Sequence, residues 1–206
     1  MKAELRDSLE NLFPDSKIGK SPCRKMTLDV ARGGTAAAHV LIHDAPVGQP
    51  VTLSVRSASG RPVRAEWFRL IDVPVEQNSG LVGFTVGSHE LSVPPYKHVR
   101  NDKNPFVVRK APFRAYDAME PVGSRPGPSK PTMAFRLHIP IPRDARPGPA
   151  AWSLSVTVGN ATCAFKLTAR IHKVVLPLPG KDTHPVTNWF SYDNIASRHG
   201  LKMWSE

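Results

Sequence analysis

The side chains most able to hold a metal or move a proton are eight histidines: His39, His43, His89, His98, His138, His172, His184 and His199. His39 and His43 have the i, i+4 spacing of a helical metal-ligand pair. They lie, however, in "AAHVLIH" (37–43), a run that reads as a strand. Four residues along a strand span roughly 13 Å, too far for one ion. His138 and His172 fall on the outward positions of alternating strands and read as solvated surface groups. No metal site is expected, and no cofactor.

Paired carboxylates would point to sugar chemistry. "YDAME" offers Asp117 and Glu120, three apart in a Pro-flanked segment of no clear period, where a structural or capping role fits better. No adjacent Asp-Glu dipeptide occurs in the chain. No serine sits in a G-x-S-x-G elbow, and "RGG" (32–34) lacks the G-K-S/T of a phosphate loop. Cys23 lies beside Arg24 and Lys25, which would favour a thiolate. Its distance from Cys163 is not a metal-ligand spacing, and two free thiols in a reducing compartment are expected.

These residues must be positioned by strands. "VTLSVRS" puts Val51, Leu53 and Val55 on one face. "AFRLHIPIP" puts Phe135, Leu137, Ile139 and Ile141 on one face, with Arg136 and His138 opposite. "AWSLSVTV" turns Trp152, Leu154, Val156 and Val158 inward, Gly159-Asn160 makes a two-residue turn, and Cys163, Phe165, Leu167, Ala169 and Ile171 return on the same side. "AAHVLIH" is more continuously apolar and reads as buried on both faces. Further strands are expected at 26–31, 63–75 and 81–86. "FVVRKAPFRAYDAMEPV" reads as irregular, broken at Pro112. "GSRPGPSKP" (123–131) reads as a connecting loop, because its prolines offer no ladder donors.

Eight or more short strands between turn signals predict an all-β chain, an antiparallel β-sandwich. "DSLENLF" predicts a short N-terminal helix through Leu9, Leu12 and Phe13, ended by Pro14. The 21 prolines agree with loops and edge strands rather than long helices. The organisation expected is residues 1–22 as helix and lead-in, 23–180 as the sandwich, and 181–206 as a linker with something else begun.

The formal net charge is +11, but the basic residues are scattered and no Lys/Arg-rich run carries interleaved aromatics. A solvated basic surface is expected, without a nucleic-acid partner. No stretch approaches the roughly 18 apolar residues of a membrane span, so no membrane partner is expected. The N-terminus lacks a signal-peptide core, which points to the cytoplasm.

The tail, "VTNWFSYDNIASRHGLKMWSE", changes period. "VTNWF" reads as one more strand. "SYDNIASRHG" reads as a helix capped by Ser191 and stopped at Gly200, and Ser205 reads as the N-cap of a second helix cut short.

"LENLFPDSKIG", "YDAMEPV", "LHIPIPRDARPGPAAWSLSVTV" and above all "TNWFSYDNIASRHGLKMWSE" resemble bacterial proteins related to glycoside hydrolase family 123. In that family an N-terminal β-sandwich precedes a (β/α)8 barrel. The resemblance implies that 181–206 opens an incomplete barrel. It implies a parent enzyme like a retaining β-N-acetylgalactosaminidase, in which the substrate's own acetamido oxygen attacks the anomeric carbon. The family's catalytic carboxylates form an adjacent Asp-Glu pair inside the barrel, so no catalytic residue carries over to this chain. With "VTNWF" as the first barrel strand, Asn188, Trp189, Phe190 and Tyr192 lie near the active-site end. Asn188 then stands as a hydrogen-bonding and Trp189 and Tyr192 as stacking candidates for a sugar, or all three pack the domain junction. The partners implied are the downstream barrel and the carbohydrate substrate of the parent. A free-standing carbohydrate-binding or adhesion sandwich, or a basic nucleic-acid-binding β-domain, are the other readings.

Overall fold

The structure, a computed structural model, describes residues 1–60, 63–76, 109–178, 200 and 202. The chain divides into two compact units, Met1–Val175 and Leu176–Glu206. All nine strands among the described residues lie in the first: β1 (Lys2–Asp7), β2 (Lys25–Arg32), β3 (Thr35–His43), β4 (Val51–Ser57), β5 (Glu66–Val75), β6 (Phe113–Val122), β7 (Met133–Pro140), β8 (Gly148–Val158) and β9 (Ala161–Val175). They form a five-stranded sheet in the order β1-β3-β7-β5-β6 and a four-stranded sheet in the order β2-β9-β8-β4. The expected sandwich is present. Its ladders are antiparallel except one, because β2 pairs with β9 in parallel.

Period-2 alternation builds the shared core. Phe135, Leu137 and Ile139 of β7 face Leu154, Val156 and Val158 of β8 and Leu167 of β9 within one continuous cluster. All seven are essentially solvent-free, and each contributes about 1.5–3 kcal/mol by leaving water. Trp67 and Trp152 are buried in the same cluster. The β8–β9 turn falls at Gly159, whose φ of 55° suits glycine in a tight hairpin.

Loops close both flanks between the sheets. The peptide N–H of Leu5 donates to the Cys23 carbonyl, and that of Lys166 to the Arg24 carbonyl, so residues 23–24 stitch β1 to β9. On the other flank the Pro-rich loop 123–131 runs beside β4, with Leu53 N–H donating to Ser124 and Gly48 N–H to Ser129. The Ser129 hydroxyl is buried. It donates to the Pro46 carbonyl and accepts from the Gln49 peptide N–H.

Three expectations are corrected. Residues 2–7 are a strand, and no helix forms among the described N-terminal residues. Ala3 and Leu5 alternate into the core while the whole segment pairs with β3 from Asp7 to Lys2. The helical reading rested on Leu9, Leu12 and Phe13. Leu9 is 88% exposed and Leu12 only 2%, so these residues share no face. Non-local pairing overrides a weak local preference here. Second, "FRAYDAMEPV" is a ten-residue strand. Pro112 only precedes its first residue, where a missing donor is tolerated. Third, the strand expected from 63 begins at Glu66. The strand expected at 81–86 lies outside the described residues, as do 181–199 of the tail.

Replacing Ser129 with Ala removes two hydrogen bonds from the buried flank. The expected cost is about 1–3 kcal/mol of unfolding free energy. A lowered midpoint in urea, with unchanged slope, checks it.

Candidate functional site

The outer face of the five-stranded sheet is where functional groups gather. β3 turns Leu41 outward, β5 Leu70 and β7 Ala134, and all three are buried. Residues 8–18 cover them as a strap. Leu12 and Ile18 of the strap complete this second apolar cluster with Tyr116 of β6. The strap leaves β1 through a turn in which Asp7 Oδ1 accepts the Leu9 N–H. It is tied to β6 by the Tyr116 N–H donating to the Leu12 carbonyl.

Two polar groups are fixed beneath or beside it. The first is centred on Arg6, whose guanidinium bonds Glu4 Oε1, Glu10 Oε1 and the Lys17 carbonyl at 2.6–2.7 Å. Burial opposes the Arg6 charge, but the bonds to Glu4 and Glu10 prevail and hold its pKa above the ordinary value. The second is centred on Arg136. Its Nε donates to His138 Nε2 at 2.7 Å, and its Nη1 reaches the Ser8 carbonyl at 3.1 Å and His39 Nε2 at 3.4 Å. Burial, then the Arg136 charge, push His39 down to about 4. The same two causes lower His138.

At the strap's outer end a cleft of about 430 Å³ opens between the strap, β5 and β6. Asn11, Phe13, Arg109, Phe113, Tyr116 and Asp117 are among its lining residues. Phe13 and Phe113 meet edge to face, with centroids 5.7 Å apart. The Arg109 guanidinium lies 4.7 Å from one ring and 5.3 Å from the other. It also clasps both oxygens of Asp15 at 2.6–2.7 Å. Burial, with Asp72 nearby, pushes the Tyr116 phenol up to about 12. At neutral pH it is a hydrogen-bond donor and not a base. The cleft has the size and the mixed walls of a binding site.

The sequence candidates fall out as follows. Asn188, Trp189, Phe190 and Tyr192 lie outside the described residues, as do His89, His98, His184 and His199. His39 and His43 stand on one strand, and no group of three metal-ligating side chains occurs among the described residues. His138 is half-buried rather than fully solvated, with Phe68 on its ring and Arg136 donating to its Nε2. His172 is partly exposed as expected, and bonds Asp29 at 2.8 Å beside Arg170. Asp117 and Glu120 do not form a pair. Asp117 sits at the bulge of β6 and lines the cleft, while Glu120 stands opposite Arg69, whose guanidinium lies 3.7 Å away. Both cysteines are free, and Cys163 is buried in the core. Arg136, Arg109 and the strap were not singled out by spacing. They become visible only once β3 and β7 are in register, with His39 opposite Arg136.

No family model matches this chain, and no curated protein does. A solved structure that it is similar to is a family 123 glycoside hydrolase from Clostridium perfringens, analysed for glycolipid glycan hydrolysis. The superposition has a TM-score of 0.59 at 17% identity, and covers 86% of this chain and 28% of that one. The likeness is one of fold, and the chain spans less than a third of the hydrolase. The periplasmic chaperone SfaE gives a TM-score of 0.32 at 11% identity, covering 75% of this chain and 58% of that one. The CooA pilin subunit of enterotoxigenic Escherichia coli gives 0.31 at 11%, covering 82% and 98%.

Tyr116 has a raised pKa, so its neutral form supports the fold fully below the unfolded value near 10. That support is lost as pH rises toward about 12. A near-ultraviolet phenolate titration is expected to show a late step that Tyr116→Phe removes.

Proposed function

We propose that the sandwich is the non-catalytic accessory domain of a glycoside hydrolase, with residues 181–206 beginning the catalytic barrel. The observation that supports this most is the superposition on a family 123 hydrolase, which takes in 86% of this chain but 28% of the enzyme. The four quoted stretches, the tail foremost, point the same way. The parent reaction is then a retaining, substrate-assisted removal of a β-linked N-acetylgalactosamine. Asn188, Trp189 and Tyr192 would stand at the sugar, and the catalytic carboxylates would follow further along the polypeptide. The sandwich would brace the barrel.

The chemistry of the described residues agrees with a supporting role. Substrate-assisted hydrolysis needs one carboxylate to orient the acetamido group and another to move a proton. Asp117 and Glu120 are divided between the cleft and the Arg69 side of β6. The carboxylates of Asp15, Asp29 and Asp72 are each engaged by an arginine, with pKa values held low by those hydrogen bonds. An adhesion or glycan-platform sandwich would present aromatics on a sheet face. Among the described residues the exposed large apolar side chains are Leu, Val, Ile and Met, and Trp67 and Trp152 are core.

Expressed with the coding sequence that follows Glu206, the protein is expected to release the aryl group from an aryl β-N-acetylgalactosaminide. The 206-residue chain alone is expected to release none. A stop codon directly after Glu206, or turnover by the short chain that Asp117→Asn or Glu120→Gln abolishes, would overturn the proposal.

A further inference from the structure

Arg136 has an unusual set of partners. A guanidinium only donates hydrogen bonds. The nitrogens it touches on His39 and His138 must therefore both offer lone pairs, so both rings are neutral when the contacts are made. The third partner is the Ser8 carbonyl, at the start of the strap. One cation thus joins β3 and β7 to the strap through two groups that lose their acceptor nitrogen when they take up a proton.

We propose that His39, Arg136 and His138 form an acid-sensitive latch that holds residues 8–18 on the sheet at neutral pH and releases them on mild acidification. Protonating either imidazole converts an accepted hydrogen bond into a contact between two cations. His39 is 5% exposed and cannot swing into water while the strap is closed. With Nε2 accepting, its Nδ1 carries the proton, and that atom has no partner among the described residues. Opening the strap hydrates His39 and frees Arg136 from its Ser8 bond, so that both rings can charge with less opposition.

The surrounding charges do not cancel this effect. Arg6 stands directly across from His39 on β1, and its own charge is matched by Glu4 and Glu10. Asp7 favours a charged His39 but lies behind burial and Arg136 in weight. Glu66, across from His138 on β5, favours a charged His138 and is likewise outweighed. Phe68 packs on the His138 ring at 4.9 Å and adds no charge. Both histidines have depressed pKa values, so the closed strap is at full strength above the free value near 6.5. Its hold weakens as pH falls from there toward about 4, the value for His39.

Release would bare Leu41, Leu70 and Ala134, now covered by Leu12. It would also remove one wall of the cleft, since Asn11, Leu12 and Phe13 belong to the strap. The two sheets would stay together, because none of the latch residues faces the core between them.

Hydrogen exchange by mass spectrometry on the 206-residue chain tests this, with rates corrected for intrinsic pH dependence. Between about pH 7 and about pH 5, protection of peptides from the strap should fall on the order of tenfold or more by proton linkage. Peptides from β8 should keep their protection. The double variant His39→Gln/His138→Gln retains acceptors that do not titrate, and its strap should lose the pH dependence. Strap protection that changes less than about twofold over that range would overturn the latch. So would strap and β8 opening together, or a double variant that folds and still opens with acid.

Discussion

The middle of the five-stranded sheet carries buried apolar side chains on both faces, and much of the architecture follows from that constraint. Val40 and Ile42 point to the other sheet, while Leu41 between them points away and is equally buried. On β7, Phe135 and Ala134 divide in the same way. A two-sheet sandwich covers only one side of such strands. The outer side needs a third layer, and residues 8–18 supply it with Leu12 and Ile18. This requirement explains why the polypeptide after β1 stays flat against the sheet. A helix would have carried Leu9, Leu12 and Phe13 together on one side. The structure needs Leu12 on the sheet-facing side of the strap and Phe13 at its end against Phe113.

A layer so thin cannot exclude water from every polar group, and the two arginines beneath it meet that problem differently. Arg6 is matched by the carboxylates of Glu4 and Glu10. Arg136 is matched by two imidazoles and a peptide carbonyl, with no carboxylate partner among the described residues. Charge-assisted bonds to neutral acceptors can hold a half-buried guanidinium. They do so only while the acceptors remain neutral. The same layer therefore holds one arginine matched by carboxylates and one whose acceptors are imidazoles.

The strands with strict alternation were legible in the sequence, since most inward side chains of β7, β8 and β9 follow from period alone, Met133 being an exception. β3 was legible too, as an uninterrupted apolar run. What period could not reveal was which strand lies next to which. The parallel β2–β9 pair and the meeting of His39 with Arg136 depend on contacts between residues about a hundred or more apart in the chain, and the closure of both flanks on loops meeting strands well removed in sequence. β1 was misread because its six residues include only two core positions, too few for a period to be distinguished from the helical spacing that follows. β6 was misread because a bulge at Asp117 shifts its alternation, and Tyr116 and Met119 then share a face three apart. The cleft was invisible for the same reason, since its walls come from the strap, β5, β6 and Arg109.

The bulge also bears on chemistry. Two carboxylates can act on one glycosidic bond only if they converge on it. Along a strand, side chains three apart ordinarily diverge. The bulge could have brought Asp117 and Glu120 to one face, but Glu120 remains opposite Arg69, whose other neighbour in register is the core residue Phe135. Arg69 is itself held by the Pro126 carbonyl in the flank loop. Glu120 is thereby turned toward Arg69 at the flank, while Asp117 lines the cleft. Side chains that hold two sheets together at a flank are poorly placed to converge on a substrate as well.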